Sequence, residues 1–292
     1  MIPAPFDYIA PRSLEEAVRA LSDHGEEAKL LAGGHSLLPL LKLRLANPKL
    51  LIDLSKVPGL GKISQDNNKI LVGALATHYQ IESSQLLKTK CPLLPQTARA
   101  IGDVQVRNRG TIGGSLAHAD PSADWPAAIL ALDGELKLSG PKGDRQISAE
   151  EFFLGAMATA IEPTEILTEI RVPVSSRRYG SAYLKMAQQA SGFAVVGVAV
   201  WLRTDINGRC EDIGIGVTGL SEKPFRAKAV EERLRDNKLS PKLIEESTSQ
   251  VAESSDPLED VHASAKFRAH LARVYTTRAI QEATKRASGR TR

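Results

Sequence analysis

The sequence predicts an α+β protein in two units, and three observations lead there. A chain of 292 residues is longer than one typical core organises. Hydrophobic content of 42% against 25% charged residues supplies enough apolar material for sizeable cores in an ordinary globular protein. The pattern along the chain also changes: short strands and helices alternate over the first 175 or so residues, and consecutive strands followed by consecutive helices come after them.

In the first segment, Ser13 followed by Glu16 has the form of a capping box for a helix with Leu14, Ala17, Val18 and Leu21 on one face, closed near Gly25. A short strand, KLLAG, leads into Gly33-Gly34 and a leucine-rich stretch to Leu45, and the strand LLIDL stops before Pro58-Gly59. The pattern restarts at Lys69 with the strand KILVGAL, after which Thr77 is placed to N-cap a helix running to about Leu87. LLPQTARAIG is helix-like, and after a glycine-rich stretch a further helix spans about Ala123 to Leu132. ELKLSG and EILTEIRVP have strand composition and flank a loop with a short helix around SAEEFFLGA. Past a Ser/Arg-rich linker at 174–179, SAYLKMAQ, FAVVGVAVWLR and CEDIGIGVTGL read as an antiparallel meander. Helical stretches near 226–236, 240–253 and 264–287 close the chain, the last with Phe267, Leu271, Val274 and Tyr275 at helical spacing.

Composition narrows the function. The net charge of +4 is local: between Lys266 and Arg292 stand eight Lys/Arg and one acid, Glu282. No aromatic stacking platform accompanies that run, so it reads as a solvated basic face and not as a nucleic-acid site. Cys91 and Cys210 are the only cysteines, far apart and without CxxC. That excludes a disulfide scaffold and a self-contained iron-sulfur cluster, which needs about four thiolates. The stretch MIPAPFDYIAPRSLEEA lacks a basic n-region and an apolar h-region, and no apolar run approaches about 18 residues. The expectation is a cytoplasmic protein with no transmembrane segment, which leaves association with the inner face of the membrane open.

Two similar turns concentrate the chemistry: AGGHS (Ala32, Gly33, Gly34, His35, Ser36) and TIGGS (Thr111, Ile112, Gly113, Gly114, Ser115). Each joins a Gly-Gly pair to a nearby serine and so offers consecutive backbone N–H groups without Cβ obstruction, a nest suited to phosphate oxygens. Two such nests in one domain suit the diphosphate of a dinucleotide. No G-x-G-x-x-G follows the first strand and no G-x-x-x-x-G-K-[ST] occurs, which argues against a Rossmann NAD site and a P-loop.

Four motifs in order, AGGHSLLPLLKLRLANP, IGDVQVRNRGTIGGSLAHADPSADWPAA, EILTEIRVP and AYLKMAQQASGFAVVGVAV, together resemble the FAD-binding medium subunit of molybdenum hydroxylases. The similarity is to the aerobic carbon monoxide dehydrogenase type, related to the flavin domain of xanthine dehydrogenase, and it runs from FDYIAPRSLEEAV through the C-terminal helices. It implies a two-subdomain FAD-binding domain of the vanillyl-alcohol-oxidase/PCMH type over 1–176, with subdomains about 1–56 and 57–176. A C-terminal α+β domain of three antiparallel strands plus helices, over 177–292, follows. The resemblance also implies that Ala32 to Ser36 and Thr111 to Ser115 hold the FAD pyrophosphate, and that Asp124 binds the cofactor through ribose or adenine donors. Leu167 in EILTE matches a position packing on the flavin side. Lys185 in AYLKMA matches a lysine near the flavin ring, where a cation stabilises the anionic reduced form.

Phe193 in ASGFAVV stands where carbon monoxide dehydrogenases of this family carry a tyrosine that covers the flavin; it still stacks but has no hydroxyl. That departure separates the resemblance from any assignment of carbon monoxide as substrate. His35 lies inside the first loop, at a position where relatives of vanillyl-alcohol oxidase attach flavin covalently and molybdenum hydroxylases hold it non-covalently. His78 and His118 have no metal-ligand spacing to each other or to His24 and read as polar loop or helix residues.

The role implied is electron transfer within a dimer of heterotrimers. A large molybdenum-cofactor subunit oxidises the substrate, a small subunit with two 2Fe-2S clusters relays electrons, and this chain passes them through FAD to a quinone, a cytochrome, NAD or dioxygen. No Ser/His/Asp or Cys/His constellation is present, so no catalytic or metal-binding residue is expected. One alternative is a stand-alone FAD-dependent oxidase or dehydrogenase of the vanillyl-alcohol-oxidase type, and another is a binding module without flavin. The substrate of the complex stays open among carbon monoxide, an aldehyde, a purine or another N-heterocycle.

Overall fold

Three larger sheets order the described residues, and each is built from one of the segments distinguished above. The computed structural model describes residues 2–175, 178–253 and 255–289; Ser176 and Arg177, in the expected linker, lie outside the described residues. In the N-terminal segment, β1 (Asp7–Ile9), α1 (Leu14–His24), β2 (Ala28–Leu31), α2 (Leu37–Lys42) and β3 (Leu50–Asp53) form a parallel three-stranded sheet with β3 in the centre. Helix α1 is the crossover that parallel pairing requires, and it buries Ala17, Val18 and Leu21 against the sheet. Its cap differs in one detail from the expected box: Ser13 Oγ accepts from the Glu16 N–H, while the Glu16 carboxylate accepts from the N–H of Arg12, not of Ser13.

The second segment is an antiparallel five-stranded sheet with a helical layer. Its elements are β4 (Ile63–Asp66), β5 (Lys69–Gly73), α3 (His78–Ser83), α4 (Gln85–Lys90), α5 (Leu93–Ala100), α6 (Val104–Arg109), α7 (Ile112–His118) and α8 (Trp125–Ala131). After these come β6 (Glu135–Gly140), β7 (Gly143–Ser148), α9 (Ala149–Phe152), β8 (Phe153–Gly155), β9 (Ala158–Thr159) and β10 (Ile166–Pro173). The strand order is β4-β5-β10-β6-β7, and the short pair β8-β9 stands apart. Ile70, Val72, Leu136 and Ile170 from the sheet meet Ile112, Leu116, Trp125 and Ile129 from the helices in one core. The single helix expected from Thr77 to Leu87 is two: Thr77 and Gln80 close a full capping box, but Ser84 takes an extended backbone and starts α4 by accepting from the Leu87 N–H. The glycine-rich TIGGS, expected as a turn, is the first turn of α7, because the Thr111 hydroxyl caps it.

The C-terminal segment contains β11 (Tyr179–Ala187), β12 (Ala194–Thr204), β13 (Cys210–Thr218), β14 (Phe225–Arg226), α10 (Lys228–Leu234), α11 (Pro241–Thr248) and α12 (Ala265–Ala287). The expected three-stranded meander gains β14 as a two-residue edge strand. Helix α12 packs on β11 and β12 through Leu271, Ala272, Ala279, Ile280 and Ala283, whereas Phe267, grouped with the apolar face by its spacing, points outward and is 43% exposed.

The sheet's other face receives α8 from the preceding segment. Gly214 and Gly216, two residues apart on β13 and so on one face, make that possible. A Cβ on Gly216 would lie 1.9 Å from Ala127 O, and one on Gly214 would lie 2.0 Å from Ala131 O. Trp201 closes the seam by donating its indole N–H to Ala131 O. Replacing Gly216 by Ala is therefore expected to cost about 2 kcal/mol and lower the urea midpoint. Gly155→Ala, whose Cβ meets nothing within 4 Å, is expected to stay within about 0.5 kcal/mol of the parent in the same titration.

Candidate functional site

A cleft of about 900 Å³ opens between the β2–α2 turn, α7, the segment 120–124, the start of β10 and the tip of the β11–β12 hairpin. Ala32, Gly33, Gly34, His35 and Ser36 form one wall. Their backbone is held open: among the described residues, the N–H groups of Gly33, Gly34, His35 and Ser36 donate to no protein acceptor. Gly34 has φ +80°, a region that side chains other than glycine rarely enter. Gly33 is needed for closeness, since its Cβ would sit 2.3 Å from Arg109 O and 2.8 Å from Gly110 Cα.

The second turn does something different. Its N–H groups are taken: Ile112 donates to Ala76 O at 3.1 Å, Gly113 to Ala74 O at 2.8 Å, Gly114 to Thr111 Oγ1 at 3.1 Å and Ser115 to Thr111 O at 3.1 Å. It is thus not the second open nest that its composition suggests, because the carbonyls of Ala74 and Ala76 and the Thr111 cap consume the donors. Its glycines serve approach, with Gly113 against Ala74 and Gly114 facing Ala32 across the cleft. Thr111, Gly113, Gly114 and Ser115 line the space, whereas Ile112 points into the core and does not.

Asp124 is 5% exposed and precedes α8. It meets two side chains of β11: the Tyr183 hydroxyl donates to Oδ1, and Lys185 Nζ lies 2.8 Å from Oδ1. Burial raises the Asp124 carboxyl above the ordinary aspartate range, with Lys185 pulling it back. Burial and the adjacent carboxylate push the Tyr183 hydroxyl well above its usual value. Lys185 does not itself line the cleft; it stands behind Asp124 and donates also to Gly192 O at 2.6 Å, in the hairpin tip that carries Phe193. Leu167 and Phe193 line the cleft, Phe193 with 42% of its surface exposed. The segment before Asp124 is also shaped from the C-terminal sheet: Thr218 Oγ1 donates to Pro121 O and Ala123 O, Gly219 N to Pro121 O and Ala194 N to Ser122 O.

Three lining groups carry no clear sequence signal. His78, read as a polar helix residue, is 4% exposed and accepts from Trp125 Nε1 at 3.1 Å through Nδ1. Burial lowers its pKa to about 4, so it is a neutral imidazole with its proton on Nε2. His118 and Asp120 also line the cleft. Their place in LAHAD directly after TIGGS is the one signal that could have found them.

The sequence profile of the FAD binding domain in molybdopterin dehydrogenase matches residues 4–175, and that of the CO dehydrogenase flavoprotein C-terminal domain matches residues 181–283. The chain is 37% identical over 283 residues to the carbon monoxide dehydrogenase medium chain of Hydrogenophaga pseudoflava, covering 97% of this chain and 98% of that one. It is 36% identical over 287 residues to the 6-hydroxypseudooxynicotine dehydrogenase complex subunit alpha of Paenarthrobacter nicotinovorans, covering 98% and 97%. The solved structure of carbon monoxide dehydrogenase from Hydrogenophaga pseudoflava lacking the Mo-pyranopterin moiety aligns with a TM-score of 0.95 at 38% identity, over 98% of this chain and 99% of that one.

Two outcomes follow from the geometry. Lys185→Met leaves the Asp124 carboxylate buried without its cation and is expected to cost about 3–5 kcal/mol, while Asp124→Asn added to it recovers a large part, as a double-mutant cycle by denaturation reads out. His78 sits near 4 when folded against about 6.5 unfolded, so the unfolded chain binds more protons between those values. Its contribution is complete above about pH 6.5, and up to about 3 kcal/mol is lost as pH falls towards 4, a part of the acid slope that His78→Gln removes.

Proposed function

Because the chain belongs to the family of FAD-binding medium subunits of molybdopterin dehydrogenases, we infer that it is the flavoprotein subunit of a molybdenum hydroxylase. It takes electrons from the 2Fe-2S clusters of a small subunit and passes them to an external acceptor, while a large subunit carries the molybdenum cofactor and the substrate. The observation that carries this reading is the row of unpaired N–H donors from Gly33 to Ser36 in a cleft of about 900 Å³. Such a row suits phosphate oxygens, and the cleft lies at the upper end of ordinary cofactor-site volumes.

FAD fits the residues present. The first turn would hold the diphosphate by N–H groups, with Thr111 and Ser115 adding hydroxyl donors from the facing turn and Gly114 keeping that wall flat. Leu167 and Phe193 provide apolar surface for a ring system, and Asp124 offers an acceptor at the wall. Lys185 places a cation behind Asp124, within reach of the field that sets a flavin's potential. When bound, FAD supplies the exchange between single electrons from clusters and pairs for an acceptor. Attachment is non-covalent, and His35 serves the loop as a side chain.

The full-length similarity to medium chains favours this reading over a stand-alone oxidase of the vanillyl-alcohol-oxidase type. Three ionisable groups of the cleft are engaged within the protein: Asp124 with Lys185, Glu165 with Arg145 and His78 with Trp125. We take 1–176, with subdomains about 1–56 and 57–176, as the FAD-binding domain and 177–292 as the C-terminal domain. Among the described residues no helix is long and apolar enough to cross a membrane. A dimer of heterotrimers is the assembly we expect.

The chain purified from its source is expected to show flavin bands between about 350 and about 500 nm and to bring molybdenum and iron-sulfur subunits with it. A flavin-loaded chain that comes alone and oxidises a small substrate would instead establish the stand-alone oxidase. Gly114→Asp, which sets a carboxylate between Thr111 and Ala32 where phosphate would lie, is expected to purify folded and colourless. A yellow, stoichiometrically loaded variant would sink the assignment of the site.

A further inference from the structure

The first glycine turn presents N–H donors and no fixed cation. Among the described residues lining the cleft there is no arginine, and the one lysine, Lys29, is exposed on β2. A diphosphate brings negative charge that N–H dipoles solvate without neutralising. One titratable group stands inside the donor row itself, and that is His35. It is exposed, and its ring is hydrogen-bonded to no other described residue.

We propose that His35 supplies the balancing charge, its imidazole taking up a proton as the diphosphate of FAD enters the turn, so that flavin retention weakens as pH rises. The inference rests on the reading of the cleft as an FAD site and adds to it a named proton and a pH dependence. The other charged groups around the cleft are already committed or remote from the donor row. His78 is buried and neutral against Trp125, and His118 closes α7. Asp124 is paired with Lys185, Glu165 with Arg145, and Asp120 accepts from the Ser122 N–H within its own turn. Glu26 and Glu162 are exposed. From α6, which packs against the turn, Arg107 pairs with Glu82 at 2.8 Å, and the Arg109 charge acts on Asp53.

The sign follows from linkage. An imidazole that gains an anionic partner has its pKa raised in the complex, so the added affinity is complete below the pKa of the free group and is lost as pH rises through the raised value.

The test is a titration of the flavin-free full-length chain with FAD from about pH 5.5 to about pH 8.5, followed by flavin fluorescence. Calorimetry in two buffers of different ionisation heat, at a pH near the middle of that range, accompanies it. The dissociation constant is expected to rise about fivefold across the range, the fold-change of a solvent-accessible ion pair, with net proton uptake on binding. His35→Gln should bind with the parent's high-pH affinity at every pH and take up no proton, and His35→Lys should bind at the parent's low-pH affinity throughout. A His35→Gln profile as steep as the parent's overturns the proposal, as does a profile flattened by His118→Gln instead. A parent chain that binds no FAD at any pH fails differently: it overturns the reading of the cleft itself.

Discussion

The buried pair of Asp124 and Lys185 is the interaction on which the cleft depends. The two residues belong to different segments, Asp124 ahead of α8 and Lys185 on β11, and with Tyr183 they form a polar cluster with almost no solvent contact. A carboxylate buried without its cation is strongly unfavourable, so the segments gain a preferred register: the arrangement that puts Lys185 against Asp124. The same ammonium holds Gly192 O, and through it the hairpin tip bearing Phe193. Thr218, Gly219 and Ala194 fasten residues 121–123 from the same sheet. One wall of the cleft is therefore held in place by the C-terminal sheet, whose hairpin tip also contributes Ser191, Gly192 and Phe193 to the lining.

Close backbone approach is the second constraint, and it explains why glycine recurs where it does. Gly33 lies on Arg109 and Gly110, Gly113 on Ala74, and Gly214 and Gly216 on α8, each at distances a Cβ could not share. Glycine at such positions says that two backbones meet; it does not by itself say that a phosphate binds. The two look-alike turns make the distinction plain. After Gly34 the N–H groups remain unpaired, whereas after Thr111 they enter a helix. Ligand donors come from the first of these, and shape comes from the second.

The cysteines fit a subunit that relays electrons without holding a cluster. Cys91 and Cys210 are buried, and burial pushes both thiols up to about 12, so neither offers a thiolate at neutral pH. Clusters and molybdenum then belong to partner subunits, in line with the full-length similarity to carbon monoxide dehydrogenase medium chains.

Much of this was legible in the chain because its signals are local. Caps at Ser13 and Thr77, the apolar runs of β12 and β13, and the glycine pairs each act within a few residues, so the order of elements and the flavin motifs could be read directly. The break at Ser84, the outward turn of Phe267 and the edge strand β14 could not, since each depends on what packs alongside. The same holds within the site. Residue type and spacing marked Ala32 to Ser36, and the family resemblance marked Asp124, Leu167 and Phe193. Only the tertiary structure decided that Ile112 faces the core, that Lys185 reaches the site through Asp124, and that His78 is neutral against Trp125, because those properties are set by contacts and burial between residues far apart in sequence.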